Sequence, residues 1–189
     1  MTRILLVACI LLSACTTAAE TPRVRPAAWA QPVIGTGGPG NWFRVSSDLY
    51  RCEQPSRAEM RVLETFGIKA VVNLREFHSD VEETAGTTIK LTEVPLDTGE
   101  LTYAQLVTVL KAMLAAPKPV VIHCWHGSDR TGTAIAAWRI AVDGWTPAEA
   151  LDEMVAGGFG HHQMYGNLRT LVGSIDPAKL RADAGLPPR

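Results

Sequence analysis

The sequence predicts an α/β fold, a three-layer sandwich with a mainly parallel central sheet. Residues 68–74 and 119–123 are short apolar runs rich in β-branched residues, which is typical of strands covered on both faces. Capped segments with helical spacing of apolar residues lie before, between and after these runs. Strands that alternate with helices in this way predict parallel pairing.

The chain has 189 residues, of which 47% are hydrophobic and 20% charged, a composition that suits one globular domain. We divide it into an export signal over residues 1–15, a flexible tether over 16–40 and a folded domain over 41–189. The tether is expected because residues 16–40 are rich in Ala, Pro, Thr and Gly and lack apolar periodicity.

Residues 1–15 combine the positive charge of Arg3, a short apolar run and small residues, as an export signal does. That run is too short to span a bilayer. Leu-Ser-Ala-Cys at residues 12–15 resembles the bacterial lipobox, in which Cys15 carries the lipid. We therefore expect a periplasmic protein that contacts the membrane only through this lipid, with Thr16 favouring the outer membrane. The alternative is cleavage near residues 17–19 and release of a soluble protein.

The elements of the domain follow in order. A strand or hairpin is expected within residues 44–51, a capped helix over 56–66, and the apolar strand 68–74. A short helix from residue 79, a strand over 88–94 and a helix over 102–115 come next. The strand 119–123 leads into a loop and a helix to about residue 142. A helix from Thr146 ends at Gly157, and one or two helices complete the chain.

The loop after residues 119–123 carries the candidate chemistry. Between a strand and a helix, several backbone N–H groups converge and the helix dipole adds positive potential, so a phosphate can bind there. Gly127 allows the backbone to turn sharply. The same field favours the thiolate form of Cys124. Arg130 can return across the loop and bind two phosphate oxygens.

The segment His123-Cys124-x-x-Gly127-x-x-Arg130-Thr131-Gly132 resembles the signature of the protein tyrosine phosphatase superfamily. Residues 48–56 and 63–75 resemble the small atypical dual-specificity phosphatases, including bacterial periplasmic members and fungal and plant relatives. The resemblance covers about residues 41–175. It implies a cysteine-phosphatase (phosphotyrosine phosphatase II-like) fold that hydrolyses phosphotyrosine, and in dual-specificity members phosphoserine or phosphothreonine, in phosphorylated proteins without metal or cofactor.

The resemblance also assigns roles. Cys124 is the nucleophile that forms a cysteinyl phosphate, Thr131 hydrogen-bonds the departing sulfur, and His123 orders the loop and tunes the thiolate. The residues implied to bind phosphate are Trp125, His126, Gly127, Ser128, Asp129 and Arg130. Relatives supply a general acid from an upstream aspartate, for which Asp97 is the first candidate and Glu100 the second. Asp97 could instead only cap a turn before the helix at residue 102.

Departures from relatives bear on the substrate. Ser128 stands where some phosphatases with phosphoinositide activity carry Lys, and Trp125 and His126 replace the basic residues of relatives that act on inositol pyrophosphates. These changes favour phosphoproteins or simple monoesters. An inositide or phospholipid phosphatase, a non-catalytic phosphate-binding module and a sulfurtransferase remain alternatives. The net charge of −1 argues against nucleic acid as a partner.

Other polar residues are assigned secondary roles. Cys52 and Cys124 remain in the domain once Cys9 and Cys15 are lost or lipidated, so Cys52 is either a redox partner that protects Cys124 or a small buried residue. His161 and His162 are expected at a helix cap or the surface, not at a metal. Trp138 is expected in the core, and Arg139 and Arg169 are expected at the surface. Arg75 is expected either in an ion pair or at the substrate.

Overall fold

The computed structural model describes residues 24–189. Its strands are β1 (Gln31–Pro32), β2 (Phe43–Arg44), β3 (Leu49–Cys52), β4 (Ala70–Arg75), β5 (Lys90–Leu96) and β6 (Val120–His123). Its helices are α1 (Arg57–Phe66), α2 (Val81–Thr84), α3 (Tyr103–Ala115), α4 (Asp129–Trp138), α5 (Pro147–Ala156), α6 (Gly166–Gly173) and α7 (Pro177–Asp183). A π-helical turn, Arg139–Asp143, extends α4. No helix within residues 24–189 is both long and apolar enough to cross a bilayer.

The strands form one sheet in the order β1-β2-β3-β6-β4-β5. Strands β3, β6, β4 and β5 are parallel to one another, and β1 and β2 add an antiparallel edge. The prediction of a mainly parallel sheet is confirmed. Because parallel strands end at the same edge, the segments that follow β3, β4, β5 and β6 meet there.

Side-chain alternation divides the core between the two faces of the sheet. Val71 pairs with Val121, and both pack with Met60 and Leu63 of α1. The neighbouring residues Val72 and Ile122 belong to the opposite core, which α3 to α7 complete. Helices therefore cover both faces, as the predicted three-layer sandwich requires.

The folded region begins before Asn41, so the expected tether over residues 16–40 was too long. Trp29 and Ala30 are buried, and the backbone N–H of Ala30 donates to Glu153 at 2.6 Å. Strand β1 then pairs with β2. A two-residue strand has no periodicity that a sequence pattern could detect. Residues 1–23, with the predicted export signal and Cys15, lie outside the described residues.

Local capping signals match the helices closely. Ser56, Thr102 and Thr146, at which the sequence predicts that three helices begin, each form a capping box. Trp138 lies in the core, as expected. The expectation of a surface Arg139 was wrong, because this side chain is buried and its Nη2 donates to Glu153 at 2.8 Å. The partner lies on another helix, which sequence spacing does not reveal.

Candidate active site

The candidate nucleophile lies in the loop that joins β6 to α4. His123 ends β6, Asp129 begins α4, and residues 124–128 form the loop between them. Gly127 has a φ of 68°, and a Cβ atom there would collide with the carbonyl oxygen of Cys52. A glycine is therefore required for this turn, as the sequence indicated.

Arg51 supports this loop from β3. Its side chain is fully buried, Nη2 donates to the carbonyl oxygen of Gly127 at 2.6 Å, and the guanidinium lies 3.7 Å from the ring centroid of Phe159. Burial lowers the pKa of Arg51 to about 10, whereas the charges of Glu153 and Cys124 oppose the fall. Arg51 is thus charged at neutral pH. The sequence gives no sign of this role, because the residues around Arg51 have the pattern of an ordinary short strand.

The candidate reacting side chains lie in the loop after β6 and in the first turn of α4. Cys124 is only 2% exposed and lies at the base of the loop. Arg130 is half-buried, and its Nη1 donates to the carbonyl oxygen of Leu96 at 3.2 Å. The hydroxyl of Thr131 is buried and has no hydrogen-bond partner among residues 24–189. The role that the resemblance implies for it, a hydrogen bond to the departing sulfur, stays a prediction.

A buried acid orients the histidine that precedes Cys124. His123 Nε2 lies 2.6 Å from Asp80 Oδ2, and His123 Nδ1 lies 3.1 Å from the Cys124 carbonyl oxygen. Gln54 donates to the other oxygen of Asp80 at 2.9 Å. Burial opposes ionisation of Asp80, but the hydrogen bonds from His123 and Gln54 outweigh it and lower the pKa of this carboxyl.

Asp80 was expected only as the start of a helix. It does precede α2, but its side chain makes no capping bond to that helix. Its actual partner, His123, is 43 residues away in the sequence. Asp80 is therefore a positioning residue that the sequence pattern assigned to a local role.

Two side chains of the predicted phosphate-binding set instead hold the loop against neighbouring segments. Ser128 Oγ donates to the Phe159 carbonyl oxygen at 2.7 Å. Asp129 accepts the His162 backbone N–H at 2.9 Å, and its second oxygen lies 2.7 Å from His162 Nδ1. Because both side chains already make these hydrogen bonds, the groups of Ser128 and Asp129 that suit phosphate are their backbone N–H groups.

His161 also approaches Asp129, with its Nδ1 3.1 Å from Oδ1. Burial lowers the pKa of His161, although Asp129 partly opposes this. Arg169 Nη1 lies 3.3 Å from His161 Nε2. The expected surface position is therefore wrong for His161, whose side chain is 2% exposed, and confirmed for His162, whose side chain is 46% exposed. Both rings lie beside the carboxylate at the start of α4. Adjacent histidines can do this because their segment turns at Gly160, whose φ is 79°.

The candidate acid lies on an exposed loop after β5. Asp97 Oδ1 accepts the Gly99 backbone N–H at 2.7 Å, which is the turn-capping contact considered from the sequence. The preceding residue, Leu96, accepts the hydrogen bond from Arg130. Asp97 therefore directly follows a residue that contacts Arg130. Glu100 lies three residues further along the chain and is exposed. Asp97 is exposed as well, so the choice of Asp97 over Glu100 as the acid stays a prediction.

Trp125 and His126 form the exposed rim of the loop. A cavity of about 360 Å³ lies on one side, lined by Thr98, Trp125, His126, Asp129, Arg130, His162, Met164 and Tyr165. A second cavity of about 280 Å³ is lined by Arg75, Glu76, Phe77, Trp125 and Arg130. Arg130 therefore borders both, which leaves room around the phosphate position for more than the phosphate itself.

Cys52 and a carboxylate cluster complete the surroundings. Cys52 and Cys124 are both buried free thiols, but Cys52 packs in the α1-side core and Cys124 in the opposite core. The role of Cys52 as a redox partner stays a prediction. His78, Asp80 and Glu83 offer ligand atoms within 4.8 Å of one another, although Asp80 already binds His123 and Gln54.

The geometry agrees with three comparisons. Residues 45–144 match the family model described as "Polymorphic toxin system, DSP-PTPase phosphatase". Over 166 residues the chain is 34% identical to the dual specificity protein phosphatase TpbA of Pseudomonas aeruginosa, covering 87% of this chain and 74% of TpbA. The crystal structure of P. aeruginosa TpbA superposes with a TM-score of 0.75 at 31% identity, covering 84% of this chain and 98% of that one.

Two further structures extend the comparison. A Cys-to-Ser variant of P. aeruginosa TpbA in complex with pTyr has a TM-score of 0.76 at 30% identity, with coverage of 86% of this chain and 99% of that one. The core catalytic domain of the S. cerevisiae PP-IP phosphatase SIW14 shares the fold, with a TM-score of 0.69 at 21% identity and coverage of 82% and 99%. The chain belongs to the atypical dual-specificity phosphatases of the protein tyrosine phosphatase superfamily.

Proposed function

We propose that this protein hydrolyses phosphotyrosine, and secondarily phosphoserine or phosphothreonine, in phosphorylated proteins. The observation that carries the proposal is the placement of Cys124, Arg130 and Thr131 at one strand–loop–helix junction, which Arg51 and His123 hold in place. The TpbA variant solved with pTyr supports this substrate class.

In the first step, the Cys124 sulfur attacks phosphorus as the bond to the leaving oxygen breaks. Arg130 and the loop N–H groups bind the three equatorial oxygens, where they stabilise the transition state. Asp97 transfers its proton to the leaving oxygen. In the second step, water attacks the cysteinyl phosphate, Asp97 accepts a proton from that water, and the thiolate departs with a hydrogen bond from Thr131.

The test is turnover of a phosphotyrosine peptide by the purified reduced protein in the presence of a chelator, with Cys124→Ser beside it. We expect the parent to release phosphate, and the variant to bind the peptide without turnover because serine is a far weaker nucleophile here. No turnover by a folded parent would favour a phosphate-binding module. Faster turnover of an inositol phosphate in the same assay would favour the inositide alternative.

We also propose export and lipid attachment at Cys15, on the basis of the sequence of residues 1–15 alone. In cells, the mature protein should carry a lipid and fractionate with membranes. The variant Cys15→Ala should lose both properties. Membrane association that persists in this variant would contradict the lipid anchor.

A further inference from the structure

The register of the sheet places Arg75 beside the catalytic loop. Strands β4 and β6 are parallel neighbours in which Asn73 is level with His123. Arg75 and Trp125 each lie two residues beyond this pair, in the direction in which both strands run. Their side chains meet there, with the Arg75 guanidinium carbon 4.0 Å from the Trp125 ring centroid.

Arg75 is held in this position by a second contact. Its Nη1 donates to Gln54 Oε1 at 2.9 Å, and the backbone N–H of Gln54 donates to the Trp125 carbonyl oxygen at 3.0 Å. Among residues 24–189, no carboxylate lies within ion-pair distance of Arg75. The guanidinium is therefore ordered before any ligand binds, which reduces the entropy lost on binding.

Arg75 and Arg130 face one cavity. Both line the space of about 280 Å³ that Glu76, Phe77 and Trp125 complete. Burial lowers the pKa of Arg75, Asp80 opposes that effect, and the charge of Arg130 adds to it. Two cations that repel each other across one cavity are both stabilised by an anion placed between or beside them. Arg130 is committed to the transferred phosphate, so Arg75 is available for another anionic group.

The apolar part of the same rim is also exposed. Phe77 is 91% exposed and Trp125 54% exposed. Exposed aromatic side chains beside a cation are typical of surfaces that bind another polypeptide. Glu76 also lines the cavity, so two positive charges face one negative charge there. This balance suits a single added carboxylate better than a densely phosphorylated inositide.

We propose that Arg75, stacked on Trp125, forms a second anion subsite that binds an acidic side chain adjacent to the phosphotyrosine of a protein substrate. This inference rests on the proposed function and specifies its substrates. A carboxylate can accept two parallel hydrogen bonds from a guanidinium, so the subsite discriminates Glu or Asp from their amides. Gln54 connects the subsite to Asp80 and hence to His123.

The experiment measures kcat/KM for two phosphotyrosine peptides that differ only in Glu or Gln next to the phosphotyrosine. The ratio of the two values is compared in the parent, in Arg75→Gln and in Arg61→Gln. Arg61 is an exposed residue of α1 and supplies the matched change of charge away from the site. A ratio cancels any general effect of a variant on the loop.

We expect the parent to prefer the Glu peptide by about three- to five-fold, the scale of a partly exposed ion pair. The ratio should fall to about one in Arg75→Gln, stay at the parental value in Arg61→Gln, and decrease as salt is raised. Equal rates for both peptides in the parent, or a preference retained in Arg75→Gln, would overturn the subsite. An inositol polyphosphate hydrolysed faster than the Glu peptide, with an advantage that Arg75→Gln removes, would overturn the peptide assignment. If neither peptide is hydrolysed, the proposed function itself fails, and the subsite fails with it. This result is distinct from those that overturn the subsite alone.

Discussion

The phosphate-binding loop and the loop that carries Asp97 serve one site but are held very differently. Arg51 joins the first loop to β3, and Asp129 joins it to His162. His123 joins it to Asp80, which precedes α2. Residues 97–100 are largely exposed and are held by the Gly99 N–H to Asp97 and by the Asn167 side chain.

This difference corresponds to two chemical tasks. Hydrogen-bond donors that stabilise developing charge are effective only when they are fixed before the reaction, because reorientation during the step would cost energy. An acid must reach leaving groups of different shapes, so a loop with few anchors can perform that task. The buried polar contacts thus lie around the loop of Cys124, whereas the candidate acid lies on an exposed segment with few anchors.

The largest expected effect is on catalysis, and it comes from removing the candidate general acid. Asp97→Asn should lower kcat by about 10²-fold, because the leaving oxygen then departs without a proton. The loss should be larger for a phosphoserine peptide than for an activated aryl phosphate, and Glu100→Gln serves as the matched control. If Glu100→Gln loses the activity and Asp97→Asn does not, the second candidate is the acid. Insensitivity of both variants would favour sulfurtransferase or binding chemistry.

An intermediate effect concerns stability. Asp80→Asn should lower the free energy of unfolding by about 2–3 kcal/mol at neutral pH, because it weakens a buried charge-assisted contact to His123. The pKa of Asp80 is lowered in the folded state, so its contribution is present above its unfolded value of about 3.9 and is lost as pH falls through the folded value.

Urea unfolding at neutral pH and below pH of about 4 measures this difference, with Glu82→Gln on exposed α2 as the control. The gap between parent and Asp80→Asn should shrink in acid. A gap that is the same at both pH values would show that the charge of Asp80 is not its source.

The smallest expected effect tests how far the phosphate-binding loop can move. Burial raises the pKa of Cys52 well above its ordinary value, and Cys52 and Cys124 pack in opposite cores, so a bridge requires the loop to shift. After peroxide converts Cys124 to a sulfenic acid, attack by the Cys52 sulfur would release water and form the disulfide. Reductant should then restore activity in the parent on the order of two-fold better than in Cys52→Ala. Equal recovery would leave Cys52 as a core residue only.

Much of the fold and the centre of the site could be predicted because their signals are local. Capping boxes act over three residues, and strand burial appears as a continuous apolar run. Cys124, the turn at Gly127 and Arg130 all lie within residues 124–130. Such patterns depend on backbone geometry and on neighbours in the sequence. They therefore appear in the sequence itself.

The supports of the site belong to the tertiary structure. Arg51 meets Gly127 across 76 residues, Asp80 meets His123 across 43, and Asp129 meets His162 across 33. The burial of Trp29 and the ion pair between Arg139 and Glu153 likewise depend on packing. The sequence by itself determined the α/β class and identified Cys124 and Arg130, around one loop, as the candidate nucleophile and phosphate ligand, because each signal lies in contiguous residues. Only the tertiary structure decided which distant side chains hold that loop, because strand register and helix packing bring them together.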